Sequence, residues 1–254
     1  MALALVAAGL LAGVSNAIAG GGTFFTFPVF IAAGLPPVIA NASNAVAVWP
    51  GHAFALVGYR RELSRFPGAL AGSVAVALLG GIVGAILLAR VGNQSFSKLI
   101  PFLILFATLL FAFGSTVASW LTSRTSGADL ARPNPLTRVF EFIFAVYGGF
   151  FGAGLGVMLM AGLLMLGVRD AQTNNALKNL LATVVTTVSV VVLSVSGLVS
   201  WPHTLLAFAG AFAGGLLGAR LARRLPALWL RRIVIAVGTA LSGYYFGKYY
   251  GLGV

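Results

Sequence analysis

Long apolar segments recur along the whole chain of 254 residues and restrict what it can fold into. Splitting the sequence at charges and at proline or glycine clusters gives eight apolar blocks, at 2–34, 38–58, 67–89, 99–121, 139–168, 175–200, 203–222 and 233–250. Most blocks are near the ~20 residues that a helix needs to cross a bilayer. The sequence therefore predicts an all-α polytopic membrane protein with about eight to ten helical segments.

Composition excludes several other classes. Only 8% of the residues are charged, against roughly 25% in a soluble domain. The absence of cysteine excludes disulfide scaffolds, thiolate zinc sites and cysteine nucleophiles, and we expect no catalytic residue, metal or cofactor. The net charge of +12 is explained by basic residues gathered in cytoplasmic loops, so we expect no nucleic-acid partner.

Residues 1–20 look like the apolar part of a signal peptide, but without a basic segment before them we expect a retained membrane segment.

Two blocks are too long for a single helix, and both are interrupted by glycine. Gly20-Gly21-Gly22 divides block 2–34, and Gly152, Gly154 and Gly156 divide block 139–168. Each of these blocks stands first in its half of the chain. We refer to the two glycine interruptions as the first break and the second break.

The two halves also match in sequence. Residues 80–85 (GGIVGA) match residues 214–219 (GGLLGA), which lie 134 positions later, and the same offset pairs Asn41 with Asn175. We therefore predict two transmembrane repeats, 1–121 and 139–254, joined by the polar linker 122–138.

The distribution of basic residues predicts the topology. If every block crosses once, the basic residues divide 7 to 8 between the two sides. If blocks 2–34 and 139–168 are hairpins that return to the side they entered, 12 basic residues share one side and 3 lie opposite, as the positive-inside rule requires. The halves are then inverted repeats with both termini outside the cytoplasm.

A re-entrant hairpin and a double crossing both return the chain to the side it entered, so the charge distribution does not separate them. Length does, because Thr23–Gly34 would form roughly 18 Å of helix. That is less than the ~30 Å hydrocarbon core, which favours short, broken helices that meet inside the membrane.

These motifs resemble the TauE/SafE family of sulfite-exporting membrane permeases. The first-half signature is matched by Gly20-Gly21-Gly22 with Pro28, by Gly34-Leu35-Pro36-Pro37 and by Ala40-Asn41-Ala42-Ser43, and the second half by 148–156, Gly167 and 174–179. The resemblance covers essentially the whole chain. It implies movement of sulfite, sulfonates such as sulfoacetate, or related organosulfur anions across the bacterial inner membrane, usually outward. The second half departs from the pattern, because its glycines are spaced and no proline matches Pro28.

Candidate substrate-binding residues lie at the breaks and on two polar helix faces. A break exposes backbone amides at a helix N-terminus, which suit an anion, although small residues also serve close helix packing. Amide side chains and one ammonium could bind an anion, or they could form interhelical hydrogen bonds, and the lysine could snorkel to the interface. The predicted binding residues are Gly20, Gly21, Gly22, Thr23, Asn41, Ser43, Asn44, His52, Gly154, Gly156, Asn174, Asn175, Lys178 and Asn179.

Several other polar residues allow two interpretations. His52 could couple protons or touch substrate, or it could be a hydrogen-bonded structural residue. Asn16, Thr23 and Thr26 flank the first break and could donate to an oxyanion or bond to neighbouring carbonyls. Gln172 and Thr173 are predicted to cap a helix. The four acids, Glu62, Asp129, Glu141 and Asp170, are expected in or near loops, paired with adjacent arginines.

The leading functional hypothesis is a permease that works by alternating access around a midplane anion site. One alternative is an intramembrane enzyme, which would need a Ser–His or paired-carboxylate arrangement that the sequence does not present at membrane depth. The other is a non-transporting assembly subunit. The expected partners are a small organic or inorganic anion and the lipid bilayer, and a homo-oligomer stays open.

Overall fold

The computed structural model describes residues 1–18, 20–63, 70–124, 135–221 and 227–251. Within these ranges the chain forms only helices: α1 (Ala2–Ile18), α2 (Thr23–Ala32), α3 (Pro37–Ala53), α4 (Ala55–Gly58), α5 (Arg60–Leu63), α6 (Ala71–Arg90), α7 (Asn93–Arg124), α8 (Pro135–Phe150), α9 (Leu155–Met165), α10 (Ala171–Val195), α11 (Trp201–Leu221) and α12 (Ala227–Tyr250). In α6, in α10 and in α7 over Asn93–Gly114, the helix is long and apolar enough to cross a membrane. The predicted all-α membrane fold is confirmed.

Both long apolar blocks are broken at their glycines. The backbone leaves the helical region at Gly20 (φ 82°) after α1 and at Gly152 (φ 79°) after α8. The helices that follow, α2 and α9, have 10 and 11 residues, or roughly 15–17 Å. Neither is long enough to cross a ~30 Å hydrocarbon core.

The two short helices end in the same way. Gly34 (φ 86°) follows α2 and Gly167 (φ 85°) follows α9, and glycine adopts this left-handed conformation without steric cost. Leu35 N–H donates to the Phe30 carbonyl and Val168 N–H to the Leu163 carbonyl, which is the six-residue bond of a Schellman cap.

The next helices, α3 and α10, begin after positions that also correspond in sequence, Pro36 and Asp170. The Asp170 carboxylate accepts the Thr173 N–H at 2.8 Å. The expectation that Gln172 and Thr173 supply the cap was therefore wrong, because Asp170 is the N-cap side chain.

Each half packs its first helix against a helix of the other half. The most extensive helix contact joins α1 to α11, and the next joins α8 to α6. A Cβ added at Gly9 would collide with the Ala207 carbonyl, and one at Gly13 with the Ala211 carbonyl. These glycines therefore allow the backbones of α1 and α11 to approach closely.

Gly80 and Gly84, which match Gly214 and Gly218 in sequence, allow the same close approach between α6 and α8. A Cβ at Gly80 would lie 2.9 Å from the Phe142 carbonyl oxygen, and one at Gly84 would lie 2.8 Å from Phe150 N. The motif shared by 80–85 and 214–219 is thus a helix-packing motif in both places. The predicted linker 122–138 is helical at both ends, and its central residues, 125–134, lie outside the described residues.

The short helix α2 lies in the middle of the larger apolar core. Phe24, Phe27 and Phe30 are buried there and share one cluster with Phe111 and Phe151 from α7 and the second break. The rings of Phe27 and Phe151 meet edge to face at 5.7 Å. This packing holds the first break in the interior of the bundle.

Two hydrogen bonds bear on the topology. Tyr59 OH accepts from the Asn175 amide, and Ser43 Oγ accepts from Ser200 N–H at 2.9 Å. Single crossings of all eight blocks would put residues 59 and 175 at opposite membrane faces, and residues 43 and 200 likewise. The hairpin arrangement puts each pair near one face, and these two bonds support it.

Single cysteines can test this arrangement, because the chain has no cysteine of its own. Val195 is 85% exposed and lies at the end of α10. We expect Val195→Cys and Gln94→Cys to react with a membrane-impermeant maleimide from outside intact cells, and Arg60→Cys to react only after permeabilisation. Reaction of Val195→Cys and Arg60→Cys from the same side of the membrane would instead support eight single crossings.

Candidate functional site

The two breaks meet inside the protein. A Cβ added at Gly20 would lie 3.1 Å from the Gly156 Cα, so the backbone after α1 touches the first turn of α9. Gly22 is the N-cap residue of α2, and Gly154 is that of α9. The amino ends of both short helices, with their partial positive charge, therefore lie beside this contact.

The first break is held by side chains at the end of α1. Asn16 Oδ1 accepts the Gly22 N–H at 2.7 Å, and Ser15 Oγ donates to the Gly20 carbonyl at 3.0 Å. Thr26 Oγ1 bonds to the Gly22 carbonyl at 3.2 Å and also contacts Asn44 Oδ1. Thr26 therefore bonds to a neighbouring carbonyl, which was one of its two interpretations, whereas Asn16 accepts from a backbone N–H.

Lys178 is the only fully buried lysine in the described part of the chain, with an exposed fraction of 0%. Its Nζ donates to the Asn16 carbonyl at 3.2 Å, which brings the ammonium to the first break. No described carboxylate lies within ion-pair distance of it. Because protein surrounds the side chain, the structure does not support the alternative that Lys178 snorkels to the interface.

The polar face of α3 connects both breaks. The Asn41 side-chain amide donates to the Phe150 carbonyl at 2.8 Å, just before the second break. The Asn44 amide donates to Thr23 Oγ1 at 3.2 Å, in the first turn of α2. Ser43 faces elsewhere and bonds to the backbone before α11.

On α10 the predicted residues divide into two groups. Asn179 Oδ1 lies 3.4 Å from His52 Nδ1, so this pair joins α10 to α3 beside Lys178. Asn174 donates to the Met160 and Val168 carbonyls and supports the turn after α9. Asn175 bonds to Tyr59, nearer the end of the helix.

A small cavity of about 20 Å³ lies between the second break and the polar face of α3. It has room for about one water molecule. Five of the polar residues considered in the sequence line it: Asn16, Thr23, Asn41, Asn44 and His52. The glycines Gly20, Gly21, Gly22, Gly154 and Gly156 do not line it, nor do Ser43, Asn174, Asn175, Lys178 and Asn179.

Sequence reasoning missed Thr186 and Ser189, which line the same cavity from α10. Helical spacing could have found them, because Thr186 and Ser189 follow Lys178 by 8 and 11 positions and so share a helix face with it. Both hydroxyls stand within a long apolar run, however, where serine and threonine commonly bond to their own helix.

Glu141 differs from the loop position expected for the acids. It lies in α8 with 6% exposure, where Arg138 donates to Oε2 at 2.7 Å and Ser73 to Oε1 at 2.8 Å. The expected pairing with an adjacent arginine is present. Both carboxylate oxygens are satisfied, so this group fixes α6 against α8 and does not belong to the cavity.

Comparison with known proteins finds relatives that are membrane transporters. The family model for the sulfite exporter TauE/SafE matches residues 5–245. Probable membrane transporter protein ORF9 from Sinorhizobium is 26% identical over 94% of this chain and 89% of its own length. A probable membrane transporter protein from Haemophilus influenzae is 26% identical over 94% and 91%, and YfcA of Escherichia coli K12, also a probable membrane transporter protein, is 25% identical over 92% and 85%. No solved structure matches the chain. The chain therefore belongs to the TauE/SafE family of membrane transporters.

Proposed function

We propose that this transporter moves small organosulfur anions, sulfite or a sulfonate, across the bacterial inner membrane. Transport proceeds by alternating access around an anion site between the two breaks. The description of the family, sulfite exporter, favours a sulfur oxyanion over other anions, and outward movement is the expected direction.

The observation that carries this proposal is the burial of Lys178 without a carboxylate partner. An ammonium removed from water costs several kcal/mol unless it is compensated, and one hydrogen bond to the Asn16 carbonyl is weak compensation. Ionisable side chains inside a membrane protein are generally functional. An anionic substrate supplies the missing countercharge.

The helix ends around Lys178 support the same conclusion. Two helix N-termini, each with a partial positive charge, meet at the first break, and Lys178 is bonded to the Asn16 carbonyl just before it. The amides of Ala153, Gly154 and Gly156 form no bond with another described group. Backbone amides and one lysine together suit a compact, three-oxygen anion better than a cation or a neutral solute.

Transport requires the site to open. A cavity of about 20 Å³ has room for one water molecule but not for a sulfonate, so the walls must separate for binding. Helix α1 packs on α11, and α8 packs on α6. These two helix pairs are the units that can rock against each other. A monoanion leaving a negative interior gains ~2.3 kcal/mol per 100 mV, so export needs no coupling ion.

Thermal shift of the purified protein tests the substrate class. We expect sulfite or sulfoacetate to raise the melting temperature, and taurine, which carries an ammonium and no net charge, to have little effect, like acetate and sulfate at equal ionic strength. A ligand at 100 times its Kd stabilises by about 2.7 kcal/mol, which is readily measured. The stabilising anion should also exchange across proteoliposomes, and absence of stabilisation and exchange with every anion would refute the proposal.

A further inference from the structure

The side-chain oxygen of Asn41 is buried in the cavity without a hydrogen-bond partner. Asn41 is 2% exposed, and no described group bonds to its Oδ1. Its amide nitrogen donates to the Phe150 carbonyl at 2.8 Å. Because a carbonyl oxygen can only accept, this bond shows which side-chain atom is the nitrogen and which is the oxygen. A buried acceptor left unpaired is costly, so the position of this oxygen calls for a donor from outside the protein.

The two hydroxyls that α10 places in the cavity wall do not supply that donor. Thr186 donates to the Ala182 carbonyl at 2.7 Å and Ser189 to the Val185 carbonyl at 2.8 Å. Their protons point along their own helix, so each side chain has only lone pairs left to offer. Both residues line the cavity with Asn41, so all three side chains have lone pairs free to accept a hydrogen bond.

An ammonium lies next to the cavity without lining it. Asn16 and His52 line the cavity, and Lys178 is bonded to the Asn16 carbonyl. The site therefore combines a neighbouring ammonium with unpaired acceptors in the cavity wall. A ligand that satisfies both carries a negative charge and a hydrogen-bond donor.

We infer that the transported anion carries a hydroxyl group close to its charged sulfur group, and that Asn41 Oδ1 accepts a hydrogen bond from this hydroxyl. This inference rests on the proposed function and names the substrate class as a short hydroxylated sulfonate. A neutral hydroxyl fits better than a sodium ion or a second ammonium, because either cation would be repelled by the buried Lys178.

A pair of near-isosteric ligands tests the inference. Isethionate and propanesulfonate differ by a hydroxyl in place of a methyl group, and both are fully ionised at neutral pH. We expect isothermal titration of the purified transporter to give a Kd at least about 10-fold lower for isethionate, since propanesulfonate leaves the Asn41 oxygen unpaired. Asn41→Leu should remove this preference by weakening isethionate binding.

Ser242→Ala is the matched control. Ser242 also has a buried oxygen without a partner, but it lies on α12 and does not line the cavity. The control should keep the full preference for isethionate. If Asn41→Leu does not fold, the wild-type comparison still decides the question.

Equal, Lys178-dependent binding of the two anions would overturn the inference and leave the proposed function standing, with a water molecule bonded to Asn41. A preference that survives Asn41→Leu would also overturn it. A preference present only in sodium buffer, and lost in choline buffer, would assign the acceptors to a cation instead. Failure of the protein to bind any sulfonate or sulfite would remove the proposed function together with the inference.

Discussion

Replacing Lys178 by methionine should reduce anion flux about 30-fold or more. Truncating one partner of a buried charge pair costs about 2–5 kcal/mol, and every 1.4 kcal/mol is a factor of ten in affinity. Methionine fills a similar volume, so the packing around α10 is kept. The measurement is initial sulfite or sulfonate efflux from proteoliposomes that contain equal amounts of each variant.

The same substitution should leave the anion-free protein at least as stable as the wild type. The ammonium of Lys178 has no carboxylate partner among the described residues, so its removal relieves a desolvation cost. Lys98→Met is the control, because Lys98 is exposed and its removal should change neither flux nor melting temperature. Wild-type flux in Lys178→Met would exclude Lys178 from the site. A melting temperature several degrees lower would show instead that the ammonium is structural.

Replacing Gly84 by alanine should destabilise the fold by about 1–3 kcal/mol, the usual cost of overpacking a tight contact. The new methyl group would collide with the Val146 carbonyl and lie 2.8 Å from Phe150 N. Both partners are backbone atoms of α8, which cannot rotate away as a side chain could. Thermal unfolding in detergent, followed by circular dichroism, measures the loss.

Gly243→Ala is the matched control, because Gly243 lies inside α12 but a Cβ there would meet nothing within 4 Å. We expect its stability to change by less than about 0.5 kcal/mol, as at an exposed surface site. Gly218→Ala should behave like Gly84→Ala, since its Cβ would lie 2.8 Å from the Val14 Cα at the corresponding contact between α11 and α1. Equal melting temperatures for Gly84→Ala and Gly243→Ala would show that α6 and α8 are not packed this closely.

Local features of the fold were predictable from the sequence. The glycine clusters predicted both breaks, because an apolar block of thirty residues or more is too long for one spanning helix and glycine tolerates the conformation that ends it. The matched glycines at 34 and 167 end α2 and α9 with nearly equal φ angles. The charge count favoured hairpins over single crossings, and the hydrogen bonds of Tyr59 and Ser43 point the same way.

The residue content of the cavity was only partly predictable. Asn41, Asn44 and His52 stood out as polar residues within an apolar span, and they line the cavity. Ser43 and Asn174 carried the same sequence signal but bond to backbone elsewhere. A polar side chain in a membrane helix must find some partner, and the sequence does not say whether that partner is a neighbouring helix or a substrate.

The sequence by itself determined the apolar length of each helix, the positions of the breaks and the excess of basic residues, since these depend on neighbours along the chain. Only the tertiary structure decided which distant groups share the site. Lys178 meets Asn16 across 162 positions and Asn41 meets Phe150 across 109. Such contacts depend on how closely the helices pack, which is decided where glycine lets one backbone reach another. That packing also left the Asn41 oxygen buried without a partner, a property that no local pattern contains.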